Sequence, residues 1–262
     1  MGRYLTELES QLGVVLFERT GRGLRPTDTA HRLAESARAM QAGAQQLARR
    51  LPREQTQLTG SVRISASAAV SCLLLPPVLA DMRRALPQIQ IELVSSNSLS
   101  NLLLREADIA LRMLRPEQAT LVARKLGQVE VGLFASREYL QNRGTPRCMD
   151  DILNHELIGN DSLDTIVRGA KAQGYAIKPQ HFSLRCDDLM VHWHAVCAGY
   201  GLGFLGIFQG KAAPQLVRLL PELNIPPMPV WLVVHREIRT NPLIRASFDF
   251  LAQSIPERLA LP

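Results

Sequence analysis

The chain has 262 residues, of which 46% are hydrophobic and 21% are charged. This composition excludes the low-hydrophobicity, high-charge pattern of a disordered chain and predicts a folded protein. The formal net charge is +6, and residues 1–56 hold nine Lys or Arg against six Asp or Glu, so half of the net positive charge lies in about a fifth of the chain. The charge distribution therefore favours a polyanionic partner for the N-terminal part, although mildly basic proteins without such a partner are common.

Cysteine usage and hydropathy indicate a cytoplasmic protein. Cys72, Cys148, Cys186 and Cys197 form no C-x-x-C pair, so we expect them to be reduced residues of the core. No segment approaches the ~18 uninterrupted apolar residues of a membrane span, and no basic segment followed by an apolar stretch opens the chain. We therefore expect neither a membrane span nor a signal peptide.

The first predicted element is a helix from Arg3 to Leu12. Leu5, Leu8 and Leu12 form one apolar stripe, and Gly13 is suited to the position that ends a helix. The helix has no N-cap residue before it and no partner helix to cover the stripe. We therefore expect the front part of a larger helical unit to be missing.

The next stretch, LFERTGRGLRPT over residues 16–27, predicts a tight basic hairpin. Its two glycines allow the positive φ angles of such a turn, and Arg19, Arg22 and Arg25 place three cations on it. A turn of this kind is either a solvated loop or a contact for phosphate.

A long helix is predicted after the hairpin, within residues 27–57. Thr27 is a suitable N-cap, and Pro52 ends the helix. Apolar residues recur at alternating spacings of three and four for three heptads, which is the pattern of a coiled coil. We expect this helix to pair with a second chain, the alternative being that it packs on its own domain. The predicted interface residues are Ala30, Leu33, Ala37, Met40, Ala44, Leu47 and Leu51.

From residue 58 onward, predicted strands alternate with helices of about ten residues, which favours an α/β fold with a mostly parallel sheet. The predicted strands cover residues 61–67, 89–94, 108–112, a long extended run at 121–135, and 230–234, with others near Leu157, Ser183 and Leu202. The predicted helices cover residues 73–86, 99–105, 187–198 and 242–252.

Three motifs raise the question of chemistry. The stretch from Gly201 to Gly206 matches G-x-G-x-x-G, but a helix precedes it and a strand occupies it, the reverse of a dinucleotide-binding loop. His192 and His194 lie two residues apart on a predicted helix and point to different faces, so we predict no metal site. Serines follow the predicted strands without a paired base, which favours ligand binding over catalysis and predicts that the chain is not an enzyme.

The order of these parts resembles the LysR-type transcriptional regulators over nearly the whole chain. The similarity rests on the N-terminal stretch RYLTELESQLGVVLFERTGRGLRPTDTA and on the later segments GSVRISAS, ADIALRM, LVARKLG, VGLFASREYL and AGYGLGF. It implies a winged helix-turn-helix, a dimerising linker helix, and an effector domain with the fold of type 2 periplasmic binding proteins. In such a domain two α/β lobes close around a small molecule.

The resemblance implies boundaries for these parts. The C-terminal part of the winged helix-turn-helix would cover residues 1–26, the linker helix 27–57 and the effector domain 58–262. Lobe I would comprise about 58–133 and 233–262, and lobe II about 134–232, with the chain crossing between lobes near residues 133–135 and 230–233.

The same resemblance implies two sets of contacts. Those with DNA would come from Arg3, Tyr4, Arg19, Thr20, Arg22 and Arg25. Those with the effector would come from Ser67, Ala69, Ser71, Ser96, Asn97, Arg112, Met113, Phe134, Asp187, Gly203 and Phe204. Arg112 and the serines are compatible with a carboxylate effector, whereas an arginine at a strand end is more often a salt-bridged structural residue.

Two departures from the family pattern qualify this interpretation. Residues that would read base edges are expected before Arg3, and Phe208 stands where relatives often have proline. The predicted function is a DNA-binding transcription regulator controlled by a small organic effector and acting as a homodimer or a tetramer. The alternative is a truncated relative that dimerises and binds ligand without sequence-specific DNA binding.

Overall fold

The computed structural model describes residues 2–20, 23–34, 36–37, 40, 43, 58–96, 107–162 and 165–260. The chain divides into two compact units, Met1–Glu54 and Gln55–Pro262. Among the described helices, none is both long enough and apolar enough to cross a membrane.

The described strands are β1 (Phe17–Thr20), β2 (Gly23–Pro26), β3 (Gly60–Ala66), β4 (Ile89–Ser95), β5 (Ile109–Arg112), β6 (Leu121–Val129), β7 (Val131–Ser136), β8 (Leu157–Gly159), β9 (Phe182–Arg185), β10 (Leu202–Gly206), β11 (Leu216–Leu219) and β12 (Met228–His235). The bounded α-helices are α1 (Gly2–Leu12), α2 (Leu75–Ala85), α3 (Arg137–Arg143), α4 (Thr165–Ala172), α5 (Leu189–Cys197), α6 (Ile207–Lys211) and α7 (Pro242–Ala260).

The first unit confirms the predicted helix and hairpin. Helix α1 ends at Leu12, and β1 pairs antiparallel with β2 in a two-stranded sheet. The described residues of the predicted linker, 28–34, 36–37, 40 and 43, are helical. The predicted contacts Arg22, Ala44, Leu47 and Leu51 lie outside the described residues, as do the side chains of Arg3, Tyr4, Arg19 and Thr20.

The described residues of the second unit form two five-stranded sheets, which define two lobes. The lobe I sheet has the order β4-β3-β5-β12-β6, and the lobe II sheet has the order β11-β7-β10-β8-β9. In lobe I, helices α2 and α7 pack on the sheet, and the buried core side chains include Ile64, Leu75, Met82, Leu232 and Ile255. This arrangement confirms the α/β class.

The sheets are mixed, whereas the sequence predicted mostly parallel strands. Strand β12 runs antiparallel to β5 and β6, and β7 runs antiparallel to β10 and β11. The reason is topological: β6 leads the chain out of lobe I and β12 brings it back, so the two neighbouring strands run in opposite directions.

Both crossings lie earlier in the chain than predicted. Leu133 pairs with Phe204 and Leu219 in the middle of the lobe II sheet, and Val233 pairs with Ala110 in the lobe I sheet. Since β6 ends at Val129 and β7 begins at Val131, the first crossing is at Glu130, and the second falls between β11 and β12. The boundary between lobe I and lobe II therefore lies at Glu130, and the chain returns to lobe I before β12 begins at Met228.

The cysteine prediction is wrong for two of the four positions. Cys72 and Cys148 are exposed, while Cys186 and Cys197 are half-buried, and all four are free thiols. Cys72 lies on the outer side of a short π-helix, Val70–Leu74, between β3 and α2, where the neighbouring Ser71 and Leu74 take the buried positions.

Candidate functional site

Three of the predicted effector residues converge at the carboxyl end of β3. The amide of Ser96, which follows β4, donates to the Ala66 carbonyl at 2.8 Å. The Ser71 hydroxyl donates to the same carbonyl at 3.3 Å, and the Ser71 amide donates to the Ser67 carbonyl at 2.8 Å. The parallel register of β3 and β4 produces this meeting point, because both strands end at the same edge of the sheet.

Arg112 is held by its own lobe. One guanidinium nitrogen donates to the carbonyl oxygens of Ser65 and Leu111 at 3.0 and 2.9 Å, and the other donates to the Ser65 hydroxyl at 2.8 Å. The side chain is 7% exposed, and burial lowers the pKa of Arg112. These contacts fix the guanidinium against β3 and favour a structural role for the side chain, next to the serine cluster.

On lobe II, Asp187 organises a loop. Its carboxylate accepts hydrogen bonds from the amides of Asp161 and Ser162 at 2.9 and 3.1 Å and from the Ser162 hydroxyl at 2.5 Å. Asp188 caps α5 by accepting from the Met190 amide at 2.7 Å. The predicted effector contact Asp187 therefore joins the segments that follow β8 and β9.

Several other predicted effector residues belong to the cores of the lobes. Phe134 is 5% exposed in a lobe II cluster, and a Cβ at Gly203 would stand 2.5 Å from a methyl group of Val196. Both residues lie within strands: the Phe134 ring packs close to Gly210 of α6, and a side chain at Gly203 would meet α5. Ala69 is 2% exposed, Met113 packs against the lobe I core and Phe204 against the lobe II core; Asn97 lies outside the described residues.

The glycine motif and the histidine pair have structural surroundings. Strand β10 occupies the glycine motif as predicted, and α5 precedes it. His192 is buried with its Nε2 close to the Cys186 carbonyl, whereas His194 is exposed and packs edge-on against Trp193. Within the described ranges, no group of three or more His, Cys, Asp or Glu is placed to hold a metal ion.

A cavity of about 420 Å³ lies between the lobes beside the first crossing. Leu73 and Pro77 line it from lobe I, Phe208 and Lys211 of α6 line it from lobe II, and Glu130 lies between them. Phe208 also packs against the lobe I core, so it connects the lobes. The sequence marks Phe208 as a departure from the family's proline, but it does not predict this contact.

A polar cluster in lobe II was not predicted. The buried hydroxyl of Tyr139 donates to the Glu156 carboxylate, lies 3.1 Å from Nδ1 of His155 and accepts from the Glu156 amide at 3.1 Å. Arg143 pairs with the other carboxylate oxygen at 2.7 Å. The hydrogen bond from Tyr139 is the main cause of a lowered pKa for Glu156, while burial lowers the pKa of His155 and raises that of Tyr139.

In the first unit, two side chains connect helix, hairpin and linker. The Glu9 carboxylate accepts hydrogen bonds from the amides of Leu16 and Phe17, and the Thr27 hydroxyl contacts the carbonyl oxygens of Val15 and Leu16. Arg25 on β2 is exposed, opposite Glu18 in the register of the hairpin. The hairpin therefore emerges from a fixed base with a cation on its surface.

Together these observations define a class: a two-lobed α/β ligand-binding domain that follows a helix and basic hairpin of the winged DNA-binding type. Comparison with protein families gives the same answer. Residues 55–256 match the family model of the LysR substrate binding domain, and residues 1–31 match that of the bacterial regulatory helix-turn-helix protein, lysR family. The chain belongs to the LysR family, and it is a transcription regulator rather than an enzyme.

Known relatives agree over almost the full chain. The HTH-type transcriptional regulator CrgA of Neisseria meningitidis serogroup C is 28% identical over 278 residues, which cover 99% of this chain and 88% of the relative. The probable HTH-type transcriptional regulator LtrA of Klebsiella pneumoniae is 24% identical, covering 98% and 85%.

Solved structures agree on the fold. The regulatory domain of CrgA from Neisseria meningitidis matches with a TM-score of 0.67 at 28% identity, over 75% of this chain and 99% of that domain. Full-length CrgA gives the same TM-score at 26% identity, over 97% of this chain and 88% of that chain.

Proposed function

We propose that this regulator senses a small organic acid at the carboxyl edge of the lobe I sheet, where Ser67 and Ser96 follow their strands. The observation that supports this site is that the Ser71 hydroxyl and the Ser96 amide both donate to the Ala66 carbonyl, while the Ser71 amide donates to the Ser67 carbonyl. Ser67 and Ser96 are half-buried, and the Ser71 hydroxyl donates to the Ala66 carbonyl. Serine hydroxyls in such a position can orient a polar ligand without any reaction.

The buried charge of Arg112, which contacts Ser65, supports a carboxylate as the chemical class of the ligand. The Arg112 side chain is cationic and only 7% exposed, and burial lowers its pKa because the charged guanidinium is poorly solvated there. A carboxylate bound at the serines would offset part of that cost, whereas a neutral amide of the same shape would not. This favours an acid over its amide.

Thermal-shift measurements test the site and the class together. We expect small mono- and dicarboxylic acids to raise the melting temperature more than their amides, since saturation at about 100 times Kd adds ~2.7 kcal/mol of stability. Ser67→Ala and Ser96→Ala should reduce the shift. Ser61→Ala, at the opposite end of β3, is the matched control. Equal shifts with amides would contradict the class, and an equal loss in Ser61→Ala would contradict the site.

We further propose that the linker helix forms a homodimer, on which a tetramer could be built. Leu33 and Met40 lie one heptad apart on the apolar stripe, and their side chains are 40% and 77% exposed within the described chain. Ala30 and Ala37 lie on the same stripe and would allow close approach of a second helix. Burying this stripe against a second copy removes apolar surface from water.

The hairpin residues Arg19, Arg22 and Arg25 are proposed as contacts for DNA phosphates, with Arg3, Tyr4 and Thr20 beside them. Such contacts contribute salt-dependent affinity and register rather than base readout. A transcription regulator must reach the chromosome, and four free thiols are typical of a protein in a reducing compartment. We therefore propose that the protein is cytoplasmic.

A further inference from the structure

The end of α1 is organised around Glu9. Gly13 has a φ of +66°, and the Val14 amide returns to the Glu9 carbonyl at 3.2 Å, which closes the helix in the manner of a Schellman motif. The Glu9 carboxylate then accepts hydrogen bonds from the Leu16 amide at 2.7 Å and from the Phe17 amide at 2.9 Å. One residue therefore holds three of the four amides between Val14 and Phe17.

Thr27 holds the same segment from the other end of the hairpin. Its amide donates to the Leu16 carbonyl at 2.9 Å, and its hydroxyl lies 2.9 Å from the Val15 carbonyl. The hydroxyl also accepts from the Ala30 amide at 3.2 Å, which caps the linker helix. Thr27 thus connects the base of the hairpin to the first turn of the linker.

We propose that Glu9 and Thr27 are positioning residues for DNA binding. Their bonds to residues 15–17, here named the wing-base contacts, set the direction in which the basic hairpin leaves α1. The proposal rests on the proposed phosphate contacts of the hairpin. It adds that a carboxylate in α1, which itself repels DNA, strengthens DNA binding by orienting the arginines.

The direction in which DNA affinity changes when Glu9 is removed separates a positioning role from a purely electrostatic one. Removing an acidic group near DNA raises affinity, because less negative charge opposes the phosphates. Removing Glu9 leaves the amides of Leu16 and Phe17 without their acceptor, and Leu16 is only 6% exposed, so the segment must rearrange. We therefore expect Glu9→Ala to lower affinity for duplex DNA although it increases the net positive charge.

The experiment uses the full chain and a fluorescently labelled DNA duplex over a series of NaCl concentrations. Each phosphate contact contributes about 0.9 to the slope of log K against log salt, so Glu9→Ala should reduce the slope by about 1 to 3. Glu7→Ala is the matched control, since Glu7 is an exposed acid on the same helix. It should bind slightly more tightly with an unchanged slope. Glu9→Gln, which keeps an oxygen acceptor, should recover part of the slope.

A second readout needs no DNA. Hydrogen exchange at the Leu16 and Phe17 amides should be faster in Glu9→Ala and unchanged in Glu7→Ala. If these amides stay protected in Glu9→Ala, the wing-base contacts are wrong whatever happens with DNA. If exchange accelerates while the salt slope stays at the wild-type value, the positioning role is overturned. If the wild-type chain shows no salt-dependent binding, the proposed phosphate contacts fail, and the exchange result still decides the contacts of Glu9.

Discussion

Gly201 provides a sharp test of how lobe II is packed. A Cβ added at this position would stand 2.1 Å from the Glu156 carbonyl oxygen and 2.9 Å from its carbon. The same oxygen accepts the Leu202 amide at 2.8 Å, where β10 meets the start of β8. The obstacle is backbone rather than a flexible side chain, so Gly201→Ala must move the two strands apart.

The expected cost follows from three contributions. Overpacking in a well-packed interior costs about 1–3 kcal/mol, and losing the bond between Leu202 and Glu156 costs about 0.5–1.5 kcal/mol. Replacing glycine with alanine also lowers the conformational entropy of the unfolded chain, which stabilises the folded state by about 0.4–1 kcal/mol. The net expectation for Gly201→Ala is a loss of about 2 kcal/mol in the free energy of unfolding.

Urea denaturation followed by tryptophan fluorescence measures this loss in lobe II. The chain has two tryptophans, Trp193 in lobe II and Trp231 in lobe I, so a Trp231→Phe background reports lobe II alone. Gly169→Ala is the matched control: a methyl group added at Gly169, in α4, would meet open space, so this variant should gain about 0.5–1 kcal/mol. If Gly201→Ala is as stable as the wild-type chain, the packing argument is refuted.

Two further predictions concern the polar cluster of lobe II and the linker helix. Tyr139→Phe should cost about 1 kcal/mol in urea denaturation at neutral pH. The pKa of Glu156 lies below its ordinary 4.5, so the stability that the hydrogen bond contributes is present above pH 4.5 and is lost as pH falls through the folded pKa. The difference in the free energy of unfolding between Tyr139→Phe and wild type should therefore shrink in acid. A difference that stays constant with pH would contradict the assignment. Ala37→Glu should shift sedimentation toward monomer, whereas His31→Glu, off the apolar stripe, should leave a dimer; a wild-type monomer at micromolar concentration would contradict the proposed pairing.

The sequence predicted the elements well where the signal is local. The apolar stripe of α1, the glycines of the hairpin and the cap at Thr27 each depend on residues a few positions apart. Alternation also predicted β3 and β4, and an apolar run predicted β10. It could not locate the first crossing, because the extended pattern continues through Glu130 and both β6 and β7 satisfy it.

The candidate site was harder to predict because its contacts are distant in sequence. Arg112 reaches Ser65 across 47 residues, and Asp187 reaches Ser162 across 25. No periodicity signals such pairs. Family resemblance assigned Phe134 and Gly203 to the cleft, while the structure shows Phe134 in a buried lobe II cluster and Gly203 packed closely against Val196.

Phe208 bears on how a ligand could control this regulator. A ligand shifts an equilibrium only by its difference in affinity for two arrangements, and a shift from 1:99 to 99:1 requires a difference of about 10⁴-fold. Phe208 of lobe II already packs against the lobe I core, so apolar burial stabilises the present arrangement before any ligand binds. A ligand held by Ser67 and Ser96 then has to add only the remaining difference, provided that it also contacts lobe II. Contact with lobe I alone would give affinity without control.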